Sequence, residues 1–136
     1  MRIFSDKTIQ TLEKALDAAS LRQSVLSHNI ANVNTPGYKR SFVTFEETLQ
    51  QALGKKNKMA LAGFLPGHLK TTNRLEKVKP QVEKDKSTSH RQDGNNVDVD
   101  VEMAQLAMNT INYYTAISRV NGKLGVLRYV ISEGRR

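Results

Sequence analysis

The chain has 136 residues, 38% of them apolar and 6% aromatic, with no Trp and no Cys; this is one domain's worth of material with a modest core, and disulfides, thiolate metal sites and cysteine nucleophiles are excluded. Twenty-one Lys and Arg against thirteen Asp and Glu leave a net charge of +8, a weak pointer to an acidic partner. No run approaches the ~18 apolar residues of a membrane span, and the opening Met1-Arg2-Ile3-Phe4-Ser5-Asp6-Lys7 lacks the apolar stretch of a cleavable signal.

Apolar residues recur at Ile9, Leu12, Leu16, Ala19, Leu26, Ile30 and Val33, and no Gly or Pro interrupts them. Steps of three and four predict one amphipathic helix with a coiled-coil seam, about 37 Å long at 1.5 Å per residue. Gln23 occupies the middle of that seam, where a polar residue commonly sets register. The helix is expected to stop near Asn34, because Pro36 disfavours helical dihedrals at Thr35. Pro36-Gly37 fits the centre of a type II turn, in which Gly supplies the positive φ. Asn29, Asn32 and Asn34 are suited to capping carbonyls or to left-handed backbone. Tyr38, Lys39, Arg40, Phe42 and Phe45 then form an amphipathic extended segment.

In the middle of the chain only Thr44 to Leu53 reads well as helix. Thr44 and Glu47 have the spacing of a capping box, and Phe45, Leu49 and Leu53 share one face. Residues 54–96 hold ten of the basic side chains with few large apolar ones, and read as loops with short strands at best. The second seam runs Met103, Leu106, Thr110, Tyr113, Ile117, Val120, Leu124, Leu127 and Ile131, a helix of about 43 Å. Asp98 and Asp100 lie at its entry, where carboxylates suit free N–H groups and the helix dipole. Gly122 and Gly125 each cost about 1 kcal/mol of helix propensity relative to Ala, so they mark either a weak helix or a crowded packing site.

The organisation expected is therefore an assembly helix and turn over 1–37, a polar middle with a short helix over 38–96, and a second assembly helix over 97–136. The fold is mainly α, with the terminal helices pairing as a coiled-coil-like layer. Closing the segment 34–102 costs about 4 kcal/mol by the logarithmic loop rule. Two helices alone leave half of each uncovered, so the seams call for partners on other chains.

The segment from Ser27 through Asn29-Ile30-Ala31-Asn32-Val33-Asn34-Thr35-Pro36-Gly37-Tyr38 to Arg40 resembles the N-terminal signature of bacterial flagellar rod and hook proteins. The run Asp93-Gly94-Asn95-Asn96-Val97-Asp98-Val99-Asp100-Val101-Glu102-Met103-Ala104 is similar to that family's entry into its C-terminal helix. The short length and the Pro66-Gly67-His68 turn look like its proximal-rod branch. The resemblance implies a structural subunit of the basal-body rod, part of a drive shaft and export channel. It implies partners of four kinds: further copies of the chain, other rod proteins, the FliE adaptor at the membrane-ring junction, and the flagellar type III export apparatus. It also implies a periplasmic position reached without a cleaved signal peptide. Ile9, Leu12, Leu16, Gln23, Leu26, Ile30, Asn32, the corner Asn34 to Tyr38, Met103, Leu106, Tyr113, Ile117, Val120, Leu124 and Leu127 are the candidate interface.

Other chemistries have less support. His28, His68 and His90 have no ligand spacing, so no metal or other cofactor is expected. With Asp93 as first residue of a calcium loop, Gly94 is second and Ala104 twelfth, which does not fit an EF-hand. No nucleophile elbow, P-loop or dinucleotide fingerprint occurs, so an enzyme has no positive sign. The alternatives are a basic coiled-coil adaptor and a nucleic-acid-binding protein. For the latter, Lys55, Lys56 and Lys58, and Lys77, Lys79, Lys84, Lys86 and Arg91, form clusters with little aromatic interleaving, which read as solvated loops.

Overall fold

A computed structural model describes residues 7–53, 75, 78–87 and 91–133. The Pro66-Gly67-His68 turn, the cluster Lys55, Lys56 and Lys58, and Lys77 and His90 lie outside the described residues. In chain order the elements are α1 (Lys7–Ala31), β1 (Ser41–Thr44), α2 (Glu46–Ala52), β2 (Gln81–Lys84) and α3 (Val99–Glu133). The fold is mainly helical, with the two long terminal helices packed together and a small middle holding a short helix and a two-stranded sheet.

α1 and α3 run antiparallel. Asn29 near the end of α1 reaches Glu102 near the start of α3, and Ala19 reaches Asn109. Thr8 and Leu12 line a groove with Ser118, Arg119, Gly122 and Val126. α1 has 25 residues and α3 has 35, so their lengths are about 37 and 52 Å. The last two turns of α3 therefore project past the level of Thr8. α3 runs through Gly122 and Gly125 without a break, and a Cβ on either would meet nothing within 4 Å. Neither glycine is a crowded site within the chain.

β1 pairs antiparallel with β2 in the register Ser41↔Lys84, Phe42↔Glu83, Val43↔Val82 and Thr44↔Gln81. A lone two-stranded sheet is marginal in water. Here β1 packs on α1, with Val43 buried. The core is small: Ala18, Phe45 and Val78 are packed with Ala15, Leu49 and Ala52, and Ala19, Leu26, Leu75 and Val97 are also buried.

Two local expectations need correction. Thr44 is not the cap of α2: it belongs to β1, and its hydroxyl donates to Glu83 Oε1 at 3.0 Å. α2 begins at Glu46 with Phe45 at its N-cap and no side-chain cap, because strand pairing takes Thr44 first. The face of α3 turned to α1 also differs at its start from the apolar row. Met103 is exposed while Glu102 and Asn109 are buried, and Leu124 and Ile131 are exposed as well. Leu106, Thr110, Ile117, Val120 and Leu127 are half-buried. Polar partners on α1 and β1 set the rotation of α3, since a buried polar group must be matched.

Burial is graded along the pair. The buried residues of α1 lie between Ala18 and Asn29, and those of α3 are Glu102 and Asn109. Amides of 18–30 and 102–112 are therefore expected to exchange with solvent at least tenfold more slowly than those of 7–14 and 120–133 in dilute protein. Hydrogen exchange read by mass spectrometry checks this, and uniform protection along α3 would contradict it.

Candidate functional site

The segments Asn29–Tyr38 and Asp93–Glu102 fold onto one another, forming a polar clamp where α1 ends, β1 begins and α3 starts. Asn29 is its centre and has no solvent exposure. Its Nδ2 donates to Ser41 O at 2.7 Å and to Glu102 Oε2 at 2.8 Å. Its Oδ1 accepts from Ser41 N at 3.0 Å and from the Tyr38 hydroxyl at 3.2 Å. One amide thus ties α1 to β1, α3 and the turn, with all four of its hydrogen-bonding positions used.

Glu102 is fully buried, and its other oxygen, Oε1, accepts from Arg40 Nε. Arg40 Nη2 also donates to Gln105 Oε1 at 2.8 Å, and Arg40 N donates to Asn96 Oδ1 at 2.7 Å. The Arg40 carbonyl accepts from Asp85 N at 2.7 Å, carrying the sheet ladder one step further. The sequence places Glu102 one residue from the apolar seam; its burial as an ion pair was not read there. The available sign was its spacing of seven from Asn109, which puts two polar residues on one helical face.

Asn95, also without exposure, ties down the turn that follows α1 from at least 60 residues away. Its Nδ2 lies 3.0, 2.9 and 3.0 Å from the carbonyls of Asn32, Val33 and Thr35. Its Oδ1 accepts from Val97 N at 2.8 Å. Asn32 caps locally, donating to His28 O at 2.8 Å. Asp98 Oδ1 accepts from the backbone N–H groups of Asp100 and Val101, the capping role expected at the start of α3.

Pro36-Gly37 forms the expected turn. Tyr38 N donates to Thr35 O, and Gly37 has φ +72°, as the third residue of a type II turn requires. Gly94 has φ +76°, and a Cβ there would lie 3.7 Å from Gly37 Cα. Gly37 N donates to Asp93 O at 2.8 Å, so the two glycine turns sit back to back. The Asn95 backbone N–H, with Arg91 assisting, holds the Asp93 carboxylate below its ordinary range. Burial raises the Tyr38 phenol; a hydrogen bond with Ser41 opposes this, and the Glu102 carboxylate adds to it.

The candidate interface residues divide into groups. Leu26 is buried, and Ile9, Leu12, Leu16, Ile30, Asn32 and Tyr38 are half-buried. Leu106, Ile117, Val120 and Leu127 are half-buried on α3. Gln23, Asn34, Thr35, Pro36, Gly37, Met103, Tyr113 and Leu124 are exposed. Gln23 Oε1 accepts from Asn109 Nδ2 at 3.2 Å, a contact between the chain's own helices. Lys39, half-buried, reaches Ser87 O at 3.2 Å through a solvent-exposed contact. His28 Nδ1 lies 3.0 Å from the Tyr38 hydroxyl. The clamp's groups satisfy one another and present no activated nucleophile. Among the described residues no group of three or more His, Asp or Glu side chains gathers around a metal-sized space.

Residues 9–39 match the family model described as "Flagella basal body rod protein". The chain is 38% identical to the flagellar basal body rod protein FlgB of Bacillus subtilis (strain 168), over 99% of this chain and all of that one. It is 40% identical to the protein of that name from Borrelia hermsii, over 83% of this chain and 86% of the relative. The Escherichia coli (strain K12) protein of that name is 27% identical over 95% and 96% of the two chains.

Two outcomes are expected from the clamp. Arg40→Leu leaves a buried carboxylate short of its cation and should cost about 3 kcal/mol. The double variant Arg40→Leu/Glu102→Leu should cost at least ~1 kcal/mol less than the sum of the singles. Urea denaturation checks both, and additive losses would show that the ion pair is not coupled. The neutral Tyr38 stabilises the fold fully below the ordinary phenol value of 10.0, and this stability is lost as pH rises through the raised folded value. Tyr38→Phe should remove that alkaline loss; a spectrophotometric titration with parallel melting curves reads it.

Proposed function

The chain belongs to the flagellar basal body rod protein FlgB family and is a structural rod subunit, and from that premise we propose how its terminal helices build the rod. Residues 1–37 and 97–136 are the assembly segments, and 38–96 is the polar middle. The interface comprises the seam residues from Ile9 to Ile30 and from Met103 to Leu127, together with the corner from Asn32 to Tyr38.

The observation that carries this reading is the apolar surface left on α3. Met103, Met108, Ile111, Tyr114, Val126, Tyr129, Val130 and Ile131 are each more than half exposed. Single exposed apolar residues are ordinary, but a helix that is apolar on several faces belongs between other elements. A rod protein assembles with other rod proteins. In the finer reading the neighbours are further copies of the chain, other rod subunits and, at the membrane-ring end, the FliE adaptor. The subunit reaches a periplasmic position in the proximal rod through the type III export apparatus, with no signal peptide removed. Among the described residues no helix is long and apolar enough to cross a membrane. Burial of aromatic and aliphatic side chains drives the association, and the clamp holds α1 and α3 in one orientation while that surface is presented.

The test is complementation of a strain lacking this rod subunit, with export and rod incorporation measured separately. Gly37→Val forces a β-branched residue to φ +72° and should abolish rod incorporation while leaving export intact. Lys39→Ala removes an exposed contact worth about 0–1 kcal/mol and should complement normally. Normal assembly by Gly37→Val, or a worse defect in Lys39→Ala at equal protein levels, would overturn the corner's role.

A further inference from the structure

The chain has ten Asn residues, and Asn121 alone is followed by Gly. That pair lies in the half of α3 that has no buried residue, and both members are exposed. Gly122 lines the open groove between the start of α1 and the far part of α3, and a Cβ built on it would meet nothing within 4 Å. No side chain on Gly122 therefore shields its backbone nitrogen from the Asn121 amide. α3 is continuous through this point, so the Gly122 N–H is committed to the Ser118 carbonyl. The occupied N–H and the fixed helical dihedrals keep Gly122 N from Asn121 Cγ, and that barrier is removed when the turn opens. Gly122 and Gly125 both weaken the helix there. Without buried contacts, opening costs less than at the Glu102–Asn109 end.

The comparable positions are held or shielded. Asp93-Gly94 has the same small follower, but Asp93 Oδ2 accepts from Arg91 Nη2 at 2.8 Å and its Oδ1 from Asn95 N at 3.1 Å. These bonds favour the ionised carboxylate, a poor electrophile, and Gly94 N itself donates to Arg91 O at 3.1 Å. Asn29 and Asn95 are fully buried with their amides tied to the clamp. Asn112 is exposed on the same helix, but the bulky Tyr113 follows it.

We propose that Asn121 is a spontaneous deamidation site of this chain, gated by the opening of α3. Gly122 N gives up its proton and bonds to Asn121 Cγ; the Cγ–Nδ2 bond breaks and the side-chain nitrogen leaves as ammonia. Water then cleaves one C–N bond of the resulting cyclic imide, leaving aspartate or isoaspartate. Water is consumed, ammonia is released, and nothing is oxidised or reduced. Isoaspartate adds a methylene to the backbone, so the helical hydrogen bonds spanning 121 lose their register. Residues 122–133, with the exposed Val126, Tyr129, Val130 and Ile131, are then uncoupled from the rest of α3. The modification records irreversibly the time that α3 spends open. It concerns the single chain and stands apart from the rod-subunit reading.

The test is to incubate the purified full chain in mildly alkaline buffer and follow its asparagine peptides by mass spectrometry, with isoaspartate identified by enzymatic methylation. Asn121 should convert at least about tenfold faster than Asn112, yet more slowly than in urea, where the gate is absent. Gly125→Ala leaves the Asn121-Gly122 step intact and strengthens the helix. It should slow conversion about 3- to 5-fold in native buffer and leave the rate in urea unchanged. Conversion of Asn112 or of a clamp asparagine as fast as Asn121 overturns the site. Equal Asn121 rates in native buffer and urea, or a native rate indifferent to Gly125→Ala, overturn the gate. The urea comparison uses the wild-type chain alone, so it decides the gate even if the variant fails to fold.

Discussion

A carboxylate is buried at one end of the helical layer, and much of the geometry follows from that. Glu102 has no exposure, and an ionised group there is tolerable only if it is paired and hydrogen-bonded. Arg40 supplies the charge from the start of the extended segment, and Asn29 supplies a donor from the last turns of α1. Meeting these demands fixes the rotation of α3 about its axis. It also fixes where β1 leaves the turn. The apolar contacts of Leu26 and Val97 add burial, but apolar contact is non-directional and would accept neighbouring registers. Directional hydrogen bonds do not.

The corner is built on the same logic. A helix end leaves carbonyls unmatched, and a buried end must find donors for them. In the turn just past that end, Asn95 brings its amide to the carbonyls of Asn32, Val33 and Thr35 from the far side of the chain. This is possible only because Gly37 and Gly94 let two turns approach back to back. The motif is therefore a joint between the two terminal segments formed within the single chain, with Asn29, Asn95 and Glu102 committed to partners in that chain.

Away from the joint the balance reverses. From Thr110 onward α3 has no buried residue, while large apolar side chains are exposed on several of its faces. One end of the helix pair is satisfied within the chain and the other keeps its apolar side chains uncovered. For a structural rod subunit this division is coherent. The directional contacts define the orientation of the two helices, and in the proposed assembly the non-directional surface would supply the free energy of packing. Ten of the 21 basic residues fall between 46 and 96 in the sequence.

The primary sequence by itself determined the two long helices, the stop at Pro36, the turn at Gly37 and the Asp98 cap, while α3 is longer, at 35 residues, than its apolar seam indicates. Each of these is local: a period of three and four, a ring that fixes φ, a missing Cβ, a carboxylate beside free N–H groups. It also carried the family likeness, which lies in two linear segments. The tertiary structure decided that those segments meet, that Glu102 and Asn109 rather than Met103 face α1, and that Thr44 belongs to a strand rather than a cap. Apolar periodicity locates a helical face only to within about a residue's rotation, some 100°. A polar residue at the edge of that face reads as solvated until its partner is known. Arg40 lies 62 residues before Glu102, and Asn29 lies 73 before it, so only the folded chain brings those partners together.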